Sequence, residues 1–176
     1  MLPYNVGLDG ARVGLAVIAG SPDYELAPVN TLSSITSYTS LKAYLNLLKE
    51  NYSDFEDAGQ VLSYVLNIIH SGDYSTPQNG YRDNINNHLL IYITSSTNFN
   101  IDPEPIAKSI LTSKQYGIIT VGYGEDLDFK KLKTISGGSP CAFSGKNATE
   151  LSNIVKPIQR HILYADAMGG NYCMKK

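Results

Sequence analysis

The stretch Leu89-Leu90-Ile91-Tyr92-Ile93-Thr94-Ser95-Ser96 decides how the rest of the chain is read. It is a short, nearly continuous apolar run of β-branched and aromatic residues that ends in small hydroxyls. That pattern predicts a strand buried on both faces of a parallel sheet. Ligands of open α/β sheets bind beyond the carboxyl ends of such strands. Thr94, Ser95 and Ser96 therefore stand where a site belongs.

Upstream, residues 11–19 (Ala-Arg-Val-Gly-Leu-Ala-Val-Ile-Ala) read as a second buried strand between Gly10 and Gly20-Ser21-Pro22. Residues 24–29 form a short antiparallel edge strand, since Pro28 suits an edge and not a centre. From residue 37 to 50 the period becomes helical, with Tyr38, Leu41, Tyr44, Leu45 and Leu48 as the apolar stripe. A second helix spans 55–70 through Phe55, Ala58, Leu62, Val65, Leu66 and Ile69. Ser53 or Asp54 caps it, and Asp54, Glu56 and Asp57 suit its positive end. His70 falls at its C-terminus, where a cation is favoured. Residues 71–87 read as a polar loop with a mobile tip.

Downstream, Pro103 and Pro105 occupy the first turn of a helix whose inner face is Ile106, Ile110 and Leu111, with Gly117 as its stop. Residues 118–121 make the next strand, closed by Gly122-Tyr123-Gly124. A short helix over 126–135 follows, then a strand at Cys141-Ala142-Phe143. Asn147, with Glu150 three residues later, caps a final helix carrying Leu151, Ile154, Val155, Ile158 and Ile162. Pro157 should kink or interrupt it. Alternating strands and helices predict an α/β fold with a mostly parallel sheet. The expected layout is a lead over 1–10, one domain over 11–163 and a tail over 164–176.

Composition narrows the function. The 176 residues suffice for one domain with a real core. The net charge of −2 and the absence of a basic cluster argue against a nucleic-acid footprint. No apolar run is long enough to span a membrane. The first five residues lack the basic start and apolar core of a secretory signal. Charged residues make up only 17%, with 13 tyrosines and no tryptophan, a polar uncharged flavour that leans extracellular. Asn51-Tyr52-Ser53 and Asn147-Ala148-Thr149 match the N-glycosylation triplet. Cys141 and Cys173 either form one disulfide tying the tail to the last strand or stay as two thiols. No dinucleotide or phosphate-loop motif is present, His70, His88 and His161 lack metal-ligand spacing, and no Ser-His-Asp order with a nucleophile elbow occurs. The residues make no case for an enzyme.

The segments Ala11 to Val17, Asp57-Ala58-Gly59-Gln60-Val61-Leu62, Leu90 to Ser96, Tyr116 to Gly124 and Asp128 to Gly137 occur in an order that resembles the von Willebrand factor A-type domain. The flavour resembles the A-type domains of nematode secreted proteins that also carry C-type lectin modules. The resemblance implies a Rossmann-like open sheet flanked by helices, and an extracellular adhesion module. It also exposes departures. The family's metal-dependent adhesion site needs an Asp-x-Ser-x-Ser turn after the first, central strand, and that motif is absent. The usual first strand and first helix have no counterpart, since ten residues precede Ala11. Glu56, beside Asp57, is the nearest match to the family's Thr, and Ser95 replaces its Asp.

Glu56, Asp57 and Ser95 are thus vestigial metal-site candidates, too few for a hard divalent cation. No cofactor is expected; Mg²⁺ or Ca²⁺ would bind only if a longer form supplied the missing motif. Without a central strand, backbone donors go unpaired and core faces lie bare, predicting poor solubility in isolation. An incomplete translation of a longer gene, or a degenerate copy, would account for this. The expected ligand surface is Asp54, Glu56, Asp57, Ser95, Ser96, Tyr123 and Glu125, for a protein or glycan partner. Tyrosines there and in 71–81 would anchor it, giving large area at little entropy cost. Two alternatives are a small-molecule-binding or hydrolytic Rossmann-like domain at the same sheet edge, and a partial gene product without independent function.

Overall fold

Leu89–Thr94 is indeed a strand of a parallel sheet, in a computed structural model that describes residues 6–7, 10–18, 27–51, 61–85, 88–114, 116–168 and 173. We call it β3. It pairs in parallel with β4 (Gly117–Tyr123), which pairs in parallel with β5 (Ala142–Gly145). Leu89 lies opposite Gly117 and Thr94 opposite Gly122. β4 is the strand buried on both faces, from Gly117 to Gly122.

Helices α2 (Leu62–Ser71), α3 (Glu104–Ser113) and α4 (Phe129–Ile135) share one core with this sheet. There Leu66, Ile110, Leu111 and Leu132 pack against Tyr92 and Ile118. Helix α5 (Ala148–Met168) packs on Ile119, Val121 and Phe143 through Leu151, Ile154, Ile158 and Ile162.

β3 itself departs from expectation. Its Tyr92 and Thr94 are buried, but Ile91 is 45% and Ile93 69% exposed. Ile91 is the rung partner of Ile119 and Ile93 that of Val121, so both belong to the face that α5 covers. A helix is about 10 Å wide and strands are about 4.8 Å apart, so one helix covers roughly two strands. α5 takes β4 and β5, and β3 lies beyond its reach.

The first strand is also shorter than read. β1 is Leu15–Val17 and only partly buried, while Ala11 makes an isolated parallel bridge to Val6. β1 pairs antiparallel with β2 (Ala27–Asn30), and Pro28 sits on that two-stranded edge as expected. The described strands thus form two sheets, β1-β2 and β3-β4-β5, with no ladder between them. Ile18 nevertheless packs against the cluster holding Tyr92, so the two half-sheets share one core.

Helix α1 (Tyr38–Asn51) starts as predicted. Ser37 Oγ accepts the Ser40 N–H at 3.1 Å and Ser40 Oγ accepts the Ser37 N–H at 3.0 Å, a reciprocal cap. Of its stripe Leu41, Tyr44 and Leu48 are partly buried, while Tyr38 and Leu45 remain largely exposed. Of the predicted second helix only the part from Leu62 onward is described, and residues 52–60 lie outside the described residues. α3 ends earlier than Gly117, because Lys114 takes the left-handed cap at φ 61° and frees Gly117 to begin β4. Cys141 belongs to a 3₁₀ turn before β5. The Glu150 N–H bonds Asn147 Oδ1 at 3.0 Å, and Glu150 Oε2 accepts the Lys146 N–H at 2.8 Å, one residue before the predicted partner. α5 runs on through Pro157 to Met168.

The loop read as mobile over 71–87 is tied down along its described part, 71–85. Thr76 caps a 3₁₀ turn at Pro77–Asn79. Arg12 donates to the Gly80 carbonyl, and Arg82 Nη2 donates to the Gly10 carbonyl at 2.8 Å, so two arginines bind each other's neighbouring backbone. Gly80 has φ +85°, and a Cβ there would lie 2.6 Å from the Ser33 nitrogen. Only glycine fits both conditions.

At the amino edge of the sheet Tyr81 stacks on His88 (4.2 Å, 14°), its hydroxyl 3.3 Å from Nδ1. Tyr116 meets the same ring edge-on at 5.5 Å and shares a 2.6 Å hydrogen bond with Ser75 Oγ. Burial pushes the His88 pKa below the usual 6.5; a bond to the Arg82 backbone opposes this and the Arg82 charge adds to it. Burial lowers His161 as well, against Phe143. Between the ordinary value of 6.5 and the lower native values the unfolded chain therefore takes up protons that the native chain refuses, so stability falls as pH drops through that window and is unaffected above it. We expect the thermal midpoint to decline as pH falls from about 7 through 6.5 and below. His88→Gln should flatten that decline, and equal slopes in both proteins would remove His88 as its source.

Candidate functional site

The carboxyl ends of β3 and β4 carry the predicted site. Thr94, buried at the end of β3, bonds the turn that follows: Oγ1 donates to the Ser96 carbonyl at 2.7 Å and accepts the Ser96 N–H at 3.0 Å. Ser96 Oγ accepts the Asn98 N–H at 3.1 Å. Two of the three hydroxyls thus serve strand-end backbone. Ser95 stands exposed.

The next residues are held by α4. Thr97 is buried, and its Oγ1 accepts the Asp128 N–H at 2.9 Å. Asp128 caps α4, its Oδ1 accepting from the Lys130 and Lys131 N–H groups at 3.0 and 3.4 Å. Lys131 reaches back: Nζ donates to the Thr97 carbonyl at 3.1 Å and lies 5.7 Å from the centre of the Phe99 ring. One loop is therefore gripped by a hydroxyl, an ammonium and a ring.

The second loop starts at Gly122, where a Cβ would fall 2.6 Å from Leu127 Cδ1 and 2.8 Å from Leu132 Cδ1. That closeness lets α4 pack directly on the end of β4. Tyr123 and Glu125 are exposed, and Glu125 Oε1 is 3.9 Å from Lys146 Nζ, a solvated pair of little energetic weight. Asp54, Glu56 and Asp57 lie outside the described residues. Asn51 closes α1, and Asn147 is exposed while its Oδ1 caps α5. Cys141 and Cys173 are joined by a disulfide across a Cα–Cα distance of 5.7 Å, both ends buried.

Among the described residues no three His, Cys, Asp or Glu side chains converge on a point. At the position of the family's Asp stands the neutral hydroxyl of Ser95, in a loop that the Lys131 ammonium of α4 already bonds. A hard divalent cation prefers several oxygens with carboxylates among them. The described donor set does not fit one.

Lys131, Thr97 and Asp128 escaped the sequence reading as site residues. Lys131 falls within the short helix expected over 126–135, and its partner lies 34 residues away. Arg12 and Arg82 were missed likewise, at separations of 68 and 72. No local pattern encodes such contacts.

Comparison with known proteins settles the family. The model of the von Willebrand factor type A domain matches residues 2–157. The chain belongs to the von Willebrand factor type A domain family. This is a family of protein-interaction and adhesion modules. The chain is 49% identical over 174 residues to Protein irg-7 of Caenorhabditis elegans, covering 99% of itself and only 8% of that protein. Its fold matches the proximal thread matrix protein 1 of the mussel byssus at a TM-score of 0.67, with 16% identity over 90% of this chain and 36% of that one. The same mussel protein with a zinc-occupied metal-dependent adhesion site matches at 0.69, with 15% identity over 87% and 36%. At such identities the likeness is one of fold. Among the described residues, no helix is long and apolar enough to cross a membrane.

Proposed function

We propose that this domain is a non-enzymatic, extracellular interaction module that binds a protein or glycan partner through the loops at the carboxyl edge of its sheet, without the metal-dependent adhesion site of its family. The observation that carries the reading is the loop after β3: Ser95 stands where the family has a carboxylate, and the loop is held by Thr97 and Lys131. The exposed Ser95, Tyr123 and Glu125 offer the contact surface, and the family resemblance adds Asp54, Glu56 and Asp57, which lie outside the described residues. The Cys141–Cys173 bond supports an oxidising compartment, since cytosolic thiols are kept reduced. Asn51 and Asn147 are the proposed glycan acceptors.

The test is a titration of Mg²⁺, Mn²⁺ and Ca²⁺ against thermal unfolding. A ligand of the native state raises the midpoint by mass action, about 2.7 kcal/mol of stabilisation at a hundred times its Kd. We expect no shift with any of the three at millimolar concentration. A saturable rise would restore metal-dependent adhesion and overturn the reading.

A further inference from the structure

The described donors do not fit a divalent cation, so something other than a metal fixes the loop after β3. In this chain the loop between β3 and α3 is held from the side by α4. The Thr97 side chain accepts the Asp128 N–H at 2.9 Å, and the Thr97 carbonyl accepts from Lys131 Nζ at 3.1 Å. Both ends of one residue are therefore bound to the first turn of one helix. Asp128 Oδ1 fixes that turn in return, and the Phe99 ring lies within cation–π range of the ammonium.

We infer that Lys131 is the positioning residue of the candidate binding edge, a tethered ammonium that orders the 94–99 loop and makes its shape independent of divalent metal. The inference rests on the proposed use of this edge for binding, but concerns how the edge is shaped. A bound metal is lost to a chelator or at low concentration; a lysine on a capped helix is always present. Its ammonium donates to a backbone carbonyl, where a charged donor is stronger than a neutral one. It also brings a positive charge beside the loop, so a metal here would meet like charge.

Three amides report on the loop: Ser96 N–H on Thr94 Oγ1, Asn98 N–H on Ser96 Oγ and Asp128 N–H on Thr97 Oγ1. Hydrogen exchange at these amides is the measurement, in the intact chain, with and without chelator and with millimolar Mg²⁺. Lys131→Met should speed exchange at Asn98 and Asp128 about tenfold, the scale of one lost charged hydrogen bond. Lys131→Arg should restore it, and neither chelator nor Mg²⁺ should matter in the parent. Amides of β4 serve as the control for global opening. If Lys131→Met destabilises the whole domain, Lys131→Gln, which stays polar but loses the charge and the reach to the Thr97 carbonyl, is read instead and should give the same local acceleration. Unchanged exchange in these variants, or protection that follows Mg²⁺ in the parent, overturns the inference. Failure of partner binding alone would count against the proposed function and leave these amides unmoved.

Discussion

Breaking the Cys141–Cys173 bond is expected to lower the unfolding free energy by about 4 kcal/mol, the chain-entropy value for a closed loop with the 32-residue separation found here. That would be a large share of the about 5–15 kcal/mol that holds a typical domain folded. The geometry favours the full effect. The Cα–Cα distance of 5.7 Å is ordinary for a disulfide, and both residues are buried beside Ile119 and Val121. The bond pins the chain beyond α5 against the turn before β5, where a Cβ on Gly138 would fall 2.9 Å from the Cys173 carbonyl oxygen. Urea unfolding of the oxidised protein, the reduced protein and the Cys141→Ala/Cys173→Ala pair measures the difference. A loss below about 1 kcal/mol would mean that α5 and its apolar stripe hold this region without the cross-link. Such a loss would also weaken the case for an oxidising compartment, because the bond would then matter little to the fold.

The elements whose partners are near in sequence were legible. Apolar runs announced β3 and β4 and the asparagine cap was read correctly at Asn147, although α4 starts at Phe129 rather than at 126 and α5 runs on through Pro157 to Met168. Legibility failed where the deciding contact is remote. Nothing local says that Ile93 is exposed while its rung partner Val121 is buried, since both sit in equally apolar runs. Periodicity reports which face a residue takes, and the cover over that face is a property of the whole chain. The site was legible to the same depth. The edge, the hydroxyls and the missing carboxylate could be read, whereas the Lys131 grip could not, because a lysine at a helix start is ambiguous until its carbonyl partner is in place.

That difference in cover makes the second large prediction a paired one. Ile119→Ala should cost about 3 kcal/mol, within the range for truncating a fully buried isoleucine, because α5 cannot sink far enough to fill the void. Ile93→Ala, on the same face of the next strand, should cost less than about 1 kcal/mol, because a side chain 69% exposed has only about a third of the usual 1.5–3 kcal/mol to lose. Ile93→Lys should be nearly neutral for folding and should raise solubility, since it places a charge on a strand bonded on one side only among the described residues. Chemical denaturation gives the two costs, and sedimentation at rising concentration gives the association. If Ile93→Ala proves as costly as Ile119→Ala in dilute monomer, Ile93 is covered in solution and the bare face of β3 does not exist there. If the cost of Ile93→Ala grows with protein concentration instead, contact between copies covers that face, and the lysine variant should abolish the dependence.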